Sequence, residues 1–363
     1  MSIALNKPLS PDLSKLTQYL KQVNESGWYT NFGPLHQQLT QRLEAYLGVE
    51  NLLLVSNGTL AIQVACKVLG IQSAITTPFS FVATTSSLLW QGIDVAFSDI
   101  DSQSYNLCPN ALNDVFEHNS SYDGVLATHV YGNPCDVEAI ARVAKCHGKK
   151  VVYDAAHAFA VKVGEQSVLS FGDASTLSFH ATKVFHTVEG GAIIFKHKAD
   201  YEKAKQLINF GIQAGGTLGE PGINAKLNEY QCAVGLTLLD DIDEIIAHRA
   251  TLFTLYCDEL KDYLTLPKWL SQASINGAYM PIYIADEQLQ KRVIETLAAH
   301  DIQSRRYFTP SLDLAYSDQK SFGCKNSQKI SKGAICLPLH AHMSIDDVLV
   351  VTQLLKKIIK EPI

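Results

Sequence analysis

Lys183 and Asp154 are the two residues whose types and surroundings could support covalent chemistry. Lys183 lies between Ser178 and the Glu-Gly-Gly turn at residues 189–191, which the apolar run at residues 192–195 follows. Asp154 ends an apolar run that begins at Val151. A lysine on a turn after one strand can form a Schiff base with pyridoxal phosphate (PLP), and a carboxylate at the end of another can keep the pyridine nitrogen protonated. The pair therefore predicts PLP chemistry.

A polar segment at residues 56–59 follows the buried strand predicted for residues 51–55 and opens a helix. Free backbone N–H groups and the helix dipole suit a phosphate there, with Gly58 and Thr59 as candidate contacts. The alternative is a plain helix cap, because serine and asparagine are favoured at that position anyway. The segment lacks the Gly-Lys-Ser/Thr ending of a Walker A loop, so a nucleotide-triphosphate site of that kind is excluded.

Two ring side chains near predicted strand ends are further candidates. Phe81 could stack on a planar cofactor, although packing in the core is the alternative. His157 lies three residues after Asp154 and could either contact the phenolic oxygen of the cofactor or belong to the core. A catalytic metal is not expected, because the histidines at positions 180, 186, 340 and 342 lack a His-Glu-x-x-His motif and a completing carboxylate.

The elements that must position these residues alternate between strand and helix. Helices are predicted at residues 34–47, 60–69 and 136–147, and strands at residues 51–55, 74–77, 94–97, 124–128, 151–154, 174–179 and 192–195. This alternation predicts an α/β fold with a doubly wound, mainly parallel sheet flanked by helices. Ligands bind beyond the carboxyl ends of such strands, which is where Gly58, Asp154 and Lys183 fall.

The second half of the chain predicts a smaller α/β domain. Residues 211–222 are glycine-rich and predict a mobile loop, followed by a long helix over residues 229–249. Strands at residues 280–284 and 334–338, a helix at 289–300 and a last helix with a capping box at Ser344 and Asp347 complete the pattern. We expect a large domain at residues 1–240, including an N-terminal arm, and a small domain at residues 241–363.

Composition points to a cytoplasmic protein without nucleic-acid or membrane partners. The 363 residues are 47% hydrophobic and 18% charged, with a net charge of −6, which gives no basic footprint for nucleic acid. The eight cysteines show no framework spacing and are typical of a reducing compartment. The N-terminal sequence lacks the pattern of a signal peptide, and no apolar run approaches the about 20 residues of a membrane span.

Taken together in their order, these segments resemble the sugar-nucleotide aminotransferases, which are PLP enzymes of fold type I. No single segment is specific, but the ordered set is. The matching segments are residues 27–34, 56–59, 77–84, 129–134, 153–157, 178–183, 189–191, 222–229, 306–310 and 336–339.

The resemblance implies a role for each matching position. Lys183 would bind PLP and then shuttle a proton, and Asp154 would pair with the pyridine nitrogen. Gly58, Thr59 and Ser178 would bind the phosphate. Asn224 would reach that phosphate from the other subunit, which implies a homodimer with shared active sites. His157 stands where many relatives have glutamine.

Substrate contacts are implied for Tyr29, Thr30, Asn31, His186 and Arg306. Within the family, the sequence resembles most the enzymes that transfer an amino group from L-glutamate, yielding 2-oxoglutarate, to C4 of dTDP-4-keto-6-deoxyglucose. Amination at C3 is an open alternative within the same family. A non-catalytic PLP-fold sensor is an alternative from another class. A branch that dehydrates C3 has histidine at the Schiff-base position, so the lysine at position 183 argues against dehydration.

Overall fold

The computed structural model describes residues 2–360 and resolves the predicted alternation into defined elements. The strands are β1 (Leu52–Val55), β2 (Ser73–Thr76), β3 (Asp94–Phe97), β4 (Gly124–Thr128), β5 (Lys150–Asp154), β6 (Lys162–Val163), β7 (Gln166–Ser167), β8 (Ala174–Ser178), β9 (Gly191–Phe195), β10 (Met280–Tyr283), β11 (Lys320–Ser321) and β12 (Ala334–Leu337).

The helices that separate and cover these strands are α1 (Leu13–Ser26), α2 (Pro34–Leu47), α3 (Gly58–Leu69), α4 (Val82–Trp90), α5 (Pro109–His118), α6 (Val137–His147), α7 (Lys198–Leu207), α8 (Glu229–Leu239), α9 (Ile242–Leu260), α10 (Glu287–Ala299), α11 (Leu312–Ala315), α12 (Lys325–Gly333) and α13 (Ile345–Lys360). Among these helices, α2, α3, α6 and α10 begin and end within two residues of the predicted bounds. Among the helices within residues 2–360, none has the length and apolar character that crossing a bilayer requires.

The main sheet has the strand order β1-β9-β8-β5-β4-β2-β3-β11. From β8 to β11 every neighbouring pair is parallel, whereas β9 is antiparallel to both β1 and β8. Because β9 opposes both neighbours, β1 runs in the same direction as β5 and β8. The carboxyl ends of β1, β5 and β8 therefore meet at one edge of the sheet, and the predicted mainly parallel α/β fold is confirmed.

The central strands are buried along most of their length because helices cover both faces of the sheet. In β1, Leu52 and Leu54 belong to the hydrophobic cluster on one face, whereas Leu53 and Val55 belong to the cluster on the other face. All four side chains are buried. Continuous apolar runs are typical of parallel strands packed on both sides, which is why the short strands could be located in the sequence.

The C-terminal part of the chain has its own core. The antiparallel pair β10–β12 packs with α9, α10 and α13 in a third cluster that includes Leu252, Ile282 and Val351. Ile3 near the N-terminus packs into this same cluster. Conversely, β11 belongs to the C-terminal part of the chain but extends the main sheet by pairing with β3. The division between domains at residues 240 and 241 stays a prediction.

The predicted single helix over residues 229–249 is wrong, because α8 ends at Leu239 and α9 begins at Ile242. Between them, Asp240 accepts a hydrogen bond from Arg42 at 2.9 Å and lies 3.4 Å from the Lys15 amine. Asp243 and Glu244 then occupy the first turn of α9, where carboxylates favour the start of a helix. The apolar periodicity continues across this break and conceals it in the sequence.

Glu229 links the segment before α2, residues 27–33, to the start of α8. Its buried carboxylate accepts hydrogen bonds from the backbone N–H groups of Leu35 at 2.7 Å and His36 at 2.8 Å. Gly33 is required beside it, since a Cβ there would lie 2.6 Å from the Glu229 carboxyl carbon. Two of the segments that resemble the family, residues 27–34 and 222–229, are therefore joined in the folded protein.

We expect Glu229→Ala to lower the free energy of unfolding by about 1–3 kcal/mol, because it leaves two buried N–H donors without their charged acceptor. Chemical denaturation of the PLP-free protein would measure this change. Glu287→Ala is the matched control, since Glu287 lies in the first turn of α10 on the surface. Equal stability of the two variants would contradict the expected role of Glu229.

Candidate active site

A cavity of about 460 Å³ opens at the carboxyl edge of the main sheet. It brings together seven of the residues predicted from the sequence as cofactor contacts. These residues are Gly58, Thr59, Phe81, Asp154, His157, Ser178 and Lys183. Strands β1, β5 and β8 deliver most of them, because their carboxyl ends meet at this edge. The convergence is a property of the topology, whereas each role toward a cofactor stays a prediction.

Lys183 lies on the turn between β8 and β9, and its backbone N–H donates to the His180 carbonyl at 2.9 Å. Burial of the side chain lowers the pKa of its amine to about 8, against the opposing pull of the Asp154 carboxylate. A lysine with this pKa is partly neutral at physiological pH. The neutral amine is the form that attacks a carbonyl carbon, so the environment prepares Lys183 for Schiff-base chemistry.

We expect Lys183 of the PLP-free protein to titrate near pH 8 rather than near its ordinary pKa of 10.5. Because burial disfavours the ammonium form, the reactive amine appears at lower pH than on exposed lysines. Brief acylation across pH 6–11, followed by mass spectrometry of the Lys183 peptide, would give the pH at which the Lys183 amine is half deprotonated. A midpoint near that of the exposed Lys162 would show that the site does not activate this lysine.

Asp154 is held at the end of β5 by two donors. Its Oδ2 accepts from the Thr84 hydroxyl at 2.7 Å, and its Oδ1 accepts from the Ala156 N–H at 3.1 Å. Burial raises the pKa of this carboxyl above its ordinary value, opposed by these two hydrogen bonds and by the Lys183 amine. A buried carboxylate of this kind requires a cationic partner. A protonated pyridine nitrogen in the cavity would supply it.

His157 is buried beside the rings of Tyr279 and Phe308, with its imidazole stacked on Phe308 at an angle of 3°. Its Nδ1 accepts from the Tyr131 backbone N–H at 3.3 Å. Burial lowers the pKa of His157 well below its ordinary value, helped by the nearby Lys183. The ring is therefore neutral with its proton on Nε2, which can donate to an anionic oxygen.

The start of α3 provides a cradle for an anion. Asn57 caps the helix by accepting from the Leu60 N–H at 2.8 Å, while the N–H groups of the first turn have no acceptor within the helix. Gly58 approaches β8 so closely that a Cβ would lie 2.9 Å from the Cβ of Ser178. Glycine is thus required for the hydroxyl of Ser178 and the helix start to converge on one point.

These groups fit PLP in chemical type. The cavity contains a lysine with a lowered pKa, a carboxylate for the pyridine nitrogen, a neutral imidazole donor for the phenolic oxygen and a helix start for the phosphate. Phe81 lines the same cavity and is 52% exposed, so its ring face is open to a ligand. Within residues 2–360, no three or more His, Cys, Asp or Glu side chains assemble into a metal site.

Two of the predicted substrate contacts, His186 and Arg306, have other partners in this protomer, and their roles toward a substrate stay predictions. His186 is buried, and its Nε2 donates to the carbonyl of Leu9 at 3.0 Å. In this protomer the His186 ring therefore links the turn that contains Lys183 to the backbone at Leu9. Arg306 faces away from the cavity and donates to the Lys332 carbonyl at 2.9 Å. The preceding residue, Arg305, lines the cavity in its place.

Other predicted contacts lie outside this cavity in the protomer that the structure describes. Residues 29–31 are exposed, and Tyr29 lies against Tyr230 with ring centroids 6.0 Å apart. Asn224 is exposed and pairs with Asn209 in an isolated bridge. For Asn224 the family resemblance implies a role from the other subunit, and the roles of Asn224 and of residues 29–31 stay predictions.

Sequence reasoning missed several residues that complete the cavity. Tyr279, Tyr307 and Phe308 come from the C-terminal part of the chain and close one side. No motif marked Tyr279. Thr84 lies within a segment that resembles the family, but its bond to Asp154 depends on where the fold places α4 relative to the end of β5. Only the three-dimensional structure shows that bond.

Comparison with known proteins agrees with this geometry. The profile of the DegT/DnrJ/EryC1/StrS aminotransferase family matches residues 12–356. The chain belongs to this family. It is a PLP-dependent sugar aminotransferase with the fold type I architecture.

Individual relatives are similar over nearly the whole chain. A dTDP-4-amino-4,6-dideoxy-D-glucose transaminase from Shigella dysenteriae is 37% identical over 354 residues, covering 95% of each chain. One from Escherichia coli is 33% identical, covering 98% of each. The crystal structure of DesI with its TDP-sugar product aligns with a TM-score of 0.92 at 28% identity, covering 99% of this chain and 93% of that one.

Proposed function

We propose that this aminotransferase moves an amino group from L-glutamate to C4 of dTDP-4-dehydro-6-deoxy-D-glucose. The product would be dTDP-4-amino-4,6-dideoxy-D-glucose, with 2-oxoglutarate released from the donor. The substrate is supported by two relatives above 30% identity, which bear this name and align over 95% or more of both chains. The type of reaction is supported by Lys183 and Asp154, which line the same cavity.

In this proposal each residue has a defined task. PLP, when bound, withdraws electrons from the Cα of the donor and so weakens its C–H bond. The Lys183 Nζ accepts the proton from that carbon, for which a lowered pKa suits it. The Asp154 carboxylate keeps the pyridine nitrogen protonated, and His157 Nε2 donates to the phenolic oxygen. Tyr279 and Phe308 exclude water from this side of the site.

The substrate is tested by a two-stage spectral titration of the purified, PLP-loaded protein. L-Glutamate is expected to shift the visible absorption band to shorter wavelength, and the 4-keto sugar nucleotide is expected to reverse the shift. NMR of the product would then locate the amine. An amine at C3, or no reversal by this sugar, would overturn the proposed substrate while leaving the family intact.

We also propose a homodimer that works in the cytoplasm. Exposed apolar side chains on two neighbouring regions support the dimer, since such patches mark interfaces. One region contains Trp28, Tyr29 and Tyr230, which are 45–51% exposed. The other is the segment around Phe210 and Leu218, which are 53% and 78% exposed. The eight free cysteines support a reducing compartment.

Sedimentation equilibrium tests the dimer directly. The chain is expected to have twice the mass of one protomer, and Tyr230→Glu is expected to weaken association by placing a charge in the apolar patch. Val350→Glu, at an apolar position of α13 that is 53% exposed, serves as a control for an apolar-to-charged change elsewhere. A protomer mass at micromolar concentration would contradict the proposed dimer.

A further inference from the structure

The N-terminal arm, residues 3–9, connects the C-terminal core with the catalytic lysine. At its first residue, the Ile3 N–H donates to the Asp301 carbonyl and the Ile3 carbonyl accepts from the Gln303 N–H, each at 2.9 Å. The Ile3 side chain is buried in the C-terminal core. The arm is therefore fixed at one end before it crosses to the main sheet.

At its other end the arm contacts the lysine loop, residues 179–188, on both sides of Lys183. The side-chain amide of Asn6 donates to the carbonyl of Thr182 at 2.5 Å. The carbonyl of Leu9 accepts from His186 Nε2 at 3.0 Å. The Nδ1 of His186 accepts from the backbone of the same loop, so Nε2 carries the proton that this bond requires.

The base of the lysine loop is closed by the main sheet, but its tip is not. The Phe179 N–H donates to the Gly190 carbonyl at 2.8 Å, which closes the base. Near the tip, Lys183 and His180 form a local turn, and the His180 and Thr182 side chains meet at 2.8 Å. These contacts lie within the loop itself. After Lys183, Val184 and Phe185 pack into the main core, so the arm adds its contact on the other side, at the residues before the lysine.

The arm also lines a second cavity beside the active site. This cavity of about 240 Å³ lies between the arm and the active site. Leu5 and Asn6 line its outer wall, while Thr182, Tyr279 and Tyr307 line both cavities. Removing the arm contact would therefore open a route for water toward the lysine.

We propose that Asn6 is a positioning residue, which holds the Thr182 carbonyl and thereby fixes the Lys183 amine in the active site. This inference rests on the proposed catalytic role of Lys183. A carbonyl one residue before the lysine controls where the side chain starts. A displacement of the reacting group of about 1 Å can cost a large part of the rate, so one hydrogen bond at this place has a catalytic effect.

The variant Asn6→Ala tests the inference by two readouts. We expect kcat for transamination to fall about tenfold, with KM for the sugar nucleotide unchanged, because the reacting group is displaced and the substrate pocket is not. We also expect the pH midpoint of Lys183 acylation in the PLP-free protein to move upward, as water reaches the amine. Asp154 and His157, which face Lys183, are unaltered in this variant.

The matched control is His342→Ala. It removes the hydrogen bond between His342 Nε2 and the Pro8 carbonyl, 3.1 Å long, from the same arm without touching the lysine loop. Wild-type kcat and acylation midpoint are expected for this control. The inference is overturned if Asn6→Ala behaves like wild type or if both variants lose the same activity.

Two further measurements keep the outcome interpretable. Asn6→Asp is expected to exceed the effect of Asn6→Ala, because a carboxylate oxygen would face the Thr182 carbonyl oxygen without a donor. Equal melting temperatures of the variants exclude a folding defect. If the sugar substrate is assigned wrongly, wild-type turnover fails, but the acylation midpoint of the PLP-free protein still tests Asn6.

Discussion

Lys183→Ala is expected to lower kcat for transamination by roughly 10,000-fold, since it removes both the covalent anchor and the proton carrier of the reaction. Structural support comes from its place in the cavity and from the burial that lowers its pKa to about 8. The visible absorption band of the PLP-loaded protein is expected to disappear in this variant. Absorbance spectra and single-turnover assays with L-glutamate would measure the two effects separately.

Lys162→Ala provides the matched control, because Lys162 is an exposed lysine on the short strand β6. Its spectrum and turnover are expected to equal those of the wild type. Turnover of Lys183→Ala within tenfold of wild type would overturn the role given to this lysine. Retention of the visible band together with loss of turnover would instead mean that a different lysine binds the cofactor.

The sequence located the residues that the sheet itself presents. Gly58, Asp154 and Ser178 each lie at or just after the end of a strand, and the strands before Gly58 and Asp154 contain apolar runs that the sequence shows. Parallel topology then forces such ends to the same edge, so their convergence could be predicted without coordinates. Apolar runs covered on both faces give the strongest signal in this fold, and the main strands were found for that reason.

Contacts made by loops and by the C-terminal part could not be predicted in the same way. Arg305 and Arg306 are neighbours of the same type, and which one faces the cavity depends on the backbone pairing of Arg305 with Cys336. The family resemblance implies a substrate contact for His186, whereas in the structure its Nε2 donates to the carbonyl of Leu9, which lies 177 positions away in the chain. Contacts over such separations leave no periodic pattern in a single sequence.

The packing partner of the N-terminal arm could not be predicted from the sequence either. The arm was assigned to the large domain by its place in the chain, whereas Ile3 packs in the C-terminal core. A short segment of mixed polarity has no repeat from which its packing partner could be inferred. Its importance follows from two hydrogen bonds beside Lys183, which only the folded structure reveals.

Asp154→Asn is expected to lower kcat roughly 1,000-fold, because the amide keeps the shape of the carboxylate but removes the charge that holds the pyridine nitrogen protonated. The Thr84 and Ala156 hydrogen bonds can persist with the amide, since a hydroxyl both donates and accepts. The loss therefore reports charge rather than geometry. Steady-state kinetics with both substrates would measure it, and Asp262→Asn, at an exposed aspartate, is the control.

The same substitution is expected to leave the PLP-free protein as stable as the wild type or more stable. Burial raises the pKa of Asp154 in the folded state above its ordinary value, so the folded state binds a proton more readily than the unfolded chain. Ionised Asp154 thus opposes folding at neutral pH, and this penalty fades as the pH falls through the raised pKa. Asparagine lacks the penalty. A lower melting temperature of PLP-free Asp154→Asn at pH 7 would show that the carboxylate stabilises the fold, so that the lost activity could no longer be assigned to charge alone.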